Sequence, residues 1–220
     1  MKERTLIIVI ILLNLTVNSQ ILNFKIGPTI SEMKWENSAI SENSTFAEKY
    51  IGISAILGID YFQKDNFMIN SNIGYINIGG NGEVSLIDID NPDNDRLMDV
   101  KTSLHILTFN TIALFKYDFE SNISVNIGVG PKLDYLISYK ETVELLNQFD
   151  KENELNKMIF GLIGVVGIKY NLNNYCLGIE YKYDYSFNEL VNFESEWGVT
   201  NNVTYNYSSL VLTLGYKFSK

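Results

Sequence analysis

From Leu22 to Phe218 the chain reads as eight stretches in which apolar and polar residues alternate, joined by connections that take turns being short and long. The short ones are Gln63-Lys64-Asp65-Asn66, Phe119-Glu120-Ser121 and Asn171-Leu172-Asn173-Asn174. The long ones run from about Trp35 to Glu48, Gly80 to Lys101, Lys140 to Lys157 and Asn188 to Val203. Period-two alternation of this length, repeated this often, is the pattern of strands buried on one face only. An up-and-down order then places every tight turn at one end of the sheet and every long loop at the other.

The clearest stretch sets Ile123, Val125, Ile127, Val129, Leu133, Tyr135 and Ile137 against Ser124, Asn126, Gly128, Gly130, Lys132, Asp134 and Ser138. The stretch from Phe67 to Ile78 is the least regular. Alternation alone does not say which face is inside. A soluble carrier barrel would turn its apolar face inward. Three features argue for the reverse. The polar face is rich in Gly, Ser and Asn, and glycine weakens a strand unless something must approach it closely. A narrow eight-stranded barrel has such an interior, crowded with side chains. Aromatic residues also collect at both ends of the apolar face. Tyr61, Phe67, Tyr117, Tyr170, Tyr175, Tyr216 and Phe218 lie toward the tight turns, and Tyr135, Tyr139, Tyr183, Tyr185 and Phe187 toward the long loops. Two aromatic girdles around an aliphatic band match the two interfaces of a membrane. Finally, only helices and closed barrels satisfy backbone groups in lipid. The expected fold is therefore all-β, an eight-stranded antiparallel up-and-down transmembrane β-barrel of the bacterial outer membrane, with periplasmic turns and extracellular loops.

The 220 residues suffice for one such domain. Lys2 and Arg4 precede an apolar run from Leu6 to Leu13, and Val17-Asn18-Ser19 offers a cleavage site, so residues 1–19 read as a signal peptide and 20–220 as the barrel. The run is well short of the ~20 residues of a spanning helix. Composition is 46% hydrophobic and 20% charged, with mean hydropathy +0.00, as expected when hydrophobicity is hidden in alternation. The formal net charge is −9 with no basic stripe, which excludes nucleic acid as a natural partner. Cys176 is the single cysteine, on the polar face of a strand, where it reads as a small packed residue. It excludes an internal disulfide and a multi-cysteine zinc site.

Five segments stand out: Phe24-Lys25-Ile26-Gly27-Pro28-Thr29-Ile30-Ser31, Gly130-Pro131-Lys132-Leu133-Asp134-Tyr135-Leu136-Ile137-Ser138, Phe160-Gly161-Leu162-Ile163-Gly164, Gly178-Ile179-Glu180-Tyr181-Lys182-Tyr183 and Leu212-Thr213-Leu214-Gly215-Tyr216-Lys217-Phe218. They resemble the outer-membrane β-barrel family of Bacteroidetes often called PorT-like. The resemblance extends over nearly the whole chain after the leader, and the order and spacing of these segments carry it. Asn110-Thr111-Ile112 stands where members often have Glu-x-Pro, and Ser219-Lys220 extends past the usual terminal aromatic residue. The resemblance implies an outer-membrane location, lipid as a partner, and other envelope or secretion proteins as further partners in one branch. It implies no single activity.

The ionisable residues of inward parity are Lys25, Asp60, Lys116, Lys132, Asp134, Lys169, Glu180, Lys182, Asp184 and Lys217. Enclosed charges must be paired or hydrated, so these ten are expected to form a lumen network rather than an ion path or ligand site. Lys116, Lys169 and Lys217 should enter near the tight-turn end, with Asp60 and Glu180 as the main anions. His105, the only histidine, has outward parity and reads as an interfacial side chain rather than the base of a rim enzyme. Asp88, Asp90, Asp93 and Asp95 offer hard oxygen ligands in one long loop but lack the glycine and terminal glutamate of a calcium loop, so a solvated acidic loop is the better reading. No cofactor signature is present. A bulge or local kink is expected at Gly27-Pro28 and at Gly130-Pro131, because proline cannot donate to a ladder and a closed barrel has no free edge. The function expected is that of a non-enzymatic barrel with a structural, surface-interaction or secretion-accessory role. The alternatives are a small-solute channel and, further off, a rim enzyme on lipid or peptide.

Overall fold

A computed structural model describes residues 21–38, 48–64, 66–86, 96–119, 122–142, 146, 154–194, 198 and 200–218. Both the leader and the loop bearing Asp88, Asp90, Asp93 and Asp95 lie outside these residues. Nine strands form one sheet: β1 (Ile21–Asn37), β2 (Glu48–Lys64), β3 (Phe67–Leu86), β4 (Arg96–Asp118), β5 (Ile123–Glu141), β6 (Met158–Leu172), β7 (Tyr175–Ser186), β8 (Val191–Glu194) and β9 (Thr200–Lys217). Each of β1 to β7 pairs antiparallel with the next, β7 pairs with β9, and β9 returns to β1, which closes an eight-strand wall. The short β8 adds no wall position. It pairs with the upper part of β9, from Val191↔Val203 to Glu194↔Thr200.

Strand faces follow the alternation. Along β1, Leu22, Phe24, Ile26 and Ile30 point outward while Asn23, Lys25, Thr29 and Ser31 are buried inside. The nine residues from Leu22 to Ile30 match the ~9–11 that a tilted strand needs to cross a bilayer. Beyond Ile30 the polarity inverts. Glu32, Lys34 and Glu36 face out, and Met33 and Trp35 face in. On β9 the same switch falls between the outward Leu210 and Ser208, above which Tyr207, Tyr205 and Val203 are buried. The inversion explains the irregular alternation of β3. Its inward face runs from Asn70 and Asn72 to Ile76 and Ile78. It also means that much of the expected loop is strand. β3 and β4 stay in one unbroken register from Phe67↔Phe115 up to Leu86↔Arg96.

No bulge forms at either Gly-Pro step, although one ladder is interrupted at each. Pro28 pairs regularly with Ile53 of β2, and Pro131 with Leu162 of β6. On their other sides the ladder skips both Gly-Pro steps and resumes without a shift, from Ile26↔Leu212 to Thr29↔Ser209 and from Asn110↔Lys132 to Ala113↔Val129. The glycines are what allow this. A Cβ on Gly27 would lie 2.0 Å from the Leu210 carbonyl oxygen, and one on Gly130 would lie 1.9 Å from that of Thr111. The neighbouring strand closes on the step, so no extra residue is inserted. Register shifts occur elsewhere, between Lys49 and Ser54 and between Tyr61 and Lys64 on β2, and at His105/Ile106 on β4.

Candidate functional site

The lumen holds three layers of side chains, and their order follows from which inward positions are charged. At the tight-turn mouth, the Lys116 ammonium pairs with Asp118 at 2.9 Å, and Asp118 is largely exposed. Lys217 Nζ donates to Asn171 Oδ1 at 2.8 Å. Neither lysine joins Asp60 or Glu180.

Above the mouth lies a buried ionic layer. Glu180 on β7 is its centre. Its Oε2 accepts from Lys25 Nζ at 2.9 Å, and its Oε1 lies 3.4 Å from Lys169 Nζ. Lys169 also reaches Asp60 Oδ2 at 3.3 Å. Asn70 bridges the layer, donating to Asp60 and accepting from Lys25 at 3.3 Å. Lys182 is fully buried; the nearest carboxylate oxygen paired with it is Glu180 Oε2 at 3.9 Å. One pleat higher, Lys132 Nζ pairs with Asp134 Oδ2 at 2.9 Å and lies 3.9 Å from Asp184. The hydroxyls of Tyr205 and Tyr207 donate to Asp134 at 3.4 Å, and the Lys132 ammonium stands 4.4 Å from the centre of the Tyr207 ring. Lys25, Lys132, Lys169 and Lys182 thus face Asp60, Asp134, Glu180 and Asp184, four cations against four anions. The balance lets the layer stay enclosed without a net charge to solvate.

Inward glycines make room for it. A Cβ on Gly58 would meet the Asn72 amide at 2.3 Å, and one on Gly167 would meet Asn126 and Glu180 at 2.9 Å. Cys176 is buried beside Gly215, where a Cβ would lie 2.2 Å from its sulfur.

The third layer caps the lumen on the long-loop side and was not anticipated from the sequence. Met33, Trp35, Ile76, Ile78, Leu104, Ile106, Val203 and Tyr205 pack inward with Leu146, Leu155 and Leu190 from the connections. The signal was available: odd positions Met33 and Trp35 on β1 turn apolar where even positions Glu32, Lys34 and Glu36 turn charged. Ending the first strand at Ser31 and starting the loop near Trp35 hid it.

This arrangement ties strands together, since Lys25 and Glu180 link β1 to β7 and Lys169 and Asp60 link β6 to β2. Among the described residues no three His, Cys, Asp or Glu side chains converge to hold a metal. His105 sits on the exterior near the upper edge of the belt, where its Nδ1 shares a hydrogen bond with the Tyr75 hydroxyl and the two rings stack with centroids 6.0 Å apart.

Known proteins agree with this architecture. Residues 17–192 match the family described as outer membrane protein beta-barrel domain. Among solved structures, the outer membrane protein OprG from Pseudomonas aeruginosa is similar at 13% identity and a TM-score of 0.50, covering 91% of this chain and 96% of that one. Neisserial surface protein A is similar at 14% identity and a TM-score of 0.46, covering 89% and 97%. Escherichia coli outer membrane protein W is similar at 15% identity and a TM-score of 0.44, covering 92% and 100%. No curated protein matches the sequence significantly. At 13% identity the OprG structure speaks for the fold alone; the family match covers most of the chain and carries the location with it. The chain is an outer-membrane protein and belongs to the outer membrane protein beta-barrel domain family.

Proposed function

We propose that the protein is a non-catalytic barrel with a closed lumen, acting as a structural, surface-interaction or secretion-accessory component through the β-structure it raises above the membrane. One observation carries the reading: the interior is filled by a charge-balanced ionic layer beneath an apolar cap. A solute path would have to break buried ion pairs and then cross an oil-like plug, and side chains alone can fill an eight-stranded barrel. Beyond the belt, the eleven residues from Ile76 to Leu86 continue β3 for about 35 Å along the strand. That stiff ribbon is a platform for a partner in the envelope or outside the cell. Cleavage after Ser19, and a place in the PorT-like branch of Bacteroidetes, belong to the same proposal and rest on the leader pattern and the quoted segments.

The test is reconstitution of the chain from Gln20 onward in planar bilayers, beside fractionation of cells. The expected result is outer-membrane recovery, a gel shift on boiling and no stepwise conductance. Discrete conductance steps from the folded barrel would overturn the closed-lumen reading.

A further inference from the structure

At the tight-turn mouth the charges of the lumen do not balance. The ten inward ionisable residues are six lysines and four acids. Lys25, Lys132, Lys169 and Lys182 share the four acids, and Lys116 pairs with the largely exposed Asp118. Lys217 is left over. It is half-buried, and its ammonium donates to Asn171 Oδ1 at 2.8 Å. Among the described residues it has no carboxylate partner.

A small cavity lies at the same level. Asp60, Lys116, Asn126, Lys169 and Asn171 are among the residues that line it, so Lys217 stands at its rim through Asn171. Its free space is about 10 Å³, room for one particle the size of a water molecule. Asn126 is 1% exposed, and neither its Oδ1 nor its Nδ2 has a hydrogen-bond partner. Buried polar groups are satisfied as a rule, and an orphaned amide beside a cavity points to something that fills it.

The charge and the donors decide what. The ionisable lining is two lysines and one aspartate, which repels a second cation. Lys169 has three N–H donors and two carboxylate partners, at 3.3 and 3.4 Å. The Asn126 amide adds two more donors. Asp60 is already engaged by Asn70 and Lys169. A water molecule would meet Asn126 but leave the charge of Lys217 uncompensated, and a tetrahedral oxyanion exceeds the space.

We propose that the mouth is a binding site for one monatomic halide. The ion accepts from Asn126 Nδ2 and from the third N–H of Lys169, and it balances Lys217 at the rim. The site lies on the periplasmic side of the ionic layer, given tight turns toward the periplasm. It goes beyond the closed-lumen reading and stands without it, since conductance in planar bilayers tests that reading separately.

The experiment soaks crystals of the full chain in sodium bromide. It also follows the midpoint for loss of the heat-modifiable gel form in bromide, sulfate and gluconate at equal ionic strength. An anomalous bromine peak is expected within hydrogen-bond reach of Asn126 Nδ2. The midpoint should rise with bromide and saturate, while sulfate and gluconate leave it flat. Lys217→Gln should raise the half-saturating bromide about tenfold, the scale of one partly screened charge interaction. Asn126→Leu keeps the volume and should abolish saturation; Asn126→Thr serves if the leucine variant loses its gel shift on boiling. Lys64→Gln, exposed at the same end, should change nothing. A water molecule alone at Asn126, bromide on surface lysines only, an equal response to sulfate, or saturation that survives in the Asn126 variants would overturn the site.

Discussion

The same strands build two opposite kinds of interior. Within the belt, β1 turns Phe24 and Ile26 to lipid and Lys25 to the lumen; a few residues higher it turns Lys34 to water and Trp35 to the core. The lower half combines charge pairing with a small apolar cluster of Met68, Ile112, Leu114, Ile163 and Val165 inside an apolar jacket, and the upper half is held by apolar packing inside a charged one. The difference teaches that the outer solvent selects the polarity of a strand face. Facing hydrocarbon, an outward residue has nothing to gain by being polar and an inward one is free to be charged if it is paired. Facing water, the hydrophobic effect again drives apolar side chains to the enclosed face. Stability should accordingly respond to opposite substitutions in the two halves.

The sharpest break should come from Glu180→Ala. It removes the carboxylate shared by Lys25 and Lys169 and leaves buried ammonium groups uncompensated. The cost is roughly 3–5 kcal/mol where burial is complete. The midpoint for loss of the heat-modifiable gel form should fall steeply, and Glu180→Gln, which conserves volume, should recover little of it.

Leu104→Ala probes the upper half, where the side chain is fully buried in the apolar cap. A large-to-small change in such a core costs about 3 kcal/mol. Its effect should be local: limited proteolysis from the outer side should begin to nick the upper strands while the belt keeps its gel shift. An unchanged digestion pattern would show that the cap does not hold the upper half together.

Asp60→Ala should cost less than Glu180→Ala, about 2 kcal/mol, because Asp60 pairs with one lysine, Lys169, which keeps Glu180 as a second partner. If the Asp60 variant proves the weaker of the two, the ranking of the layer is inverted.

The smallest effects should be at the two jackets. Glu32→Ala removes an exposed pair with Lys49, worth about 0–1 kcal/mol and less in high salt. Leu57→Ala removes an outward side chain that lipid replaces with equally apolar contacts, so its cost should also be about 1 kcal/mol or less. A large shift for Leu57→Ala would mean that the surface is buried against protein.

The belt was legible residue by residue. From Leu22 to Ile30, from Ile123 to Tyr135 and from Leu210 to Phe218, the parity read from the sequence is the parity observed. The reason is that a strand buried on one side must repeat its polarity every second residue. That the Gly-Pro steps interrupt one ladder without a bulge was not legible, because proline's missing donor is a local fact, while the response to it belongs to the neighbouring strand. The cap was missed because its pattern is also an alternation, with the opposite phase, and phase has no meaning until the level of the membrane is known.

The amino-acid sequence by itself therefore determined the strand order of the wall and the outward face of the belt. Which charge meets which was decided only in three dimensions. Lys25 and Glu180 stand 155 positions apart, and Lys169 and Asp60 stand 109 apart. They meet because the closed wall is narrow enough for side chains from non-neighbouring strands to touch across the lumen. Alternation is a property of one strand, and closure is a property of all eight.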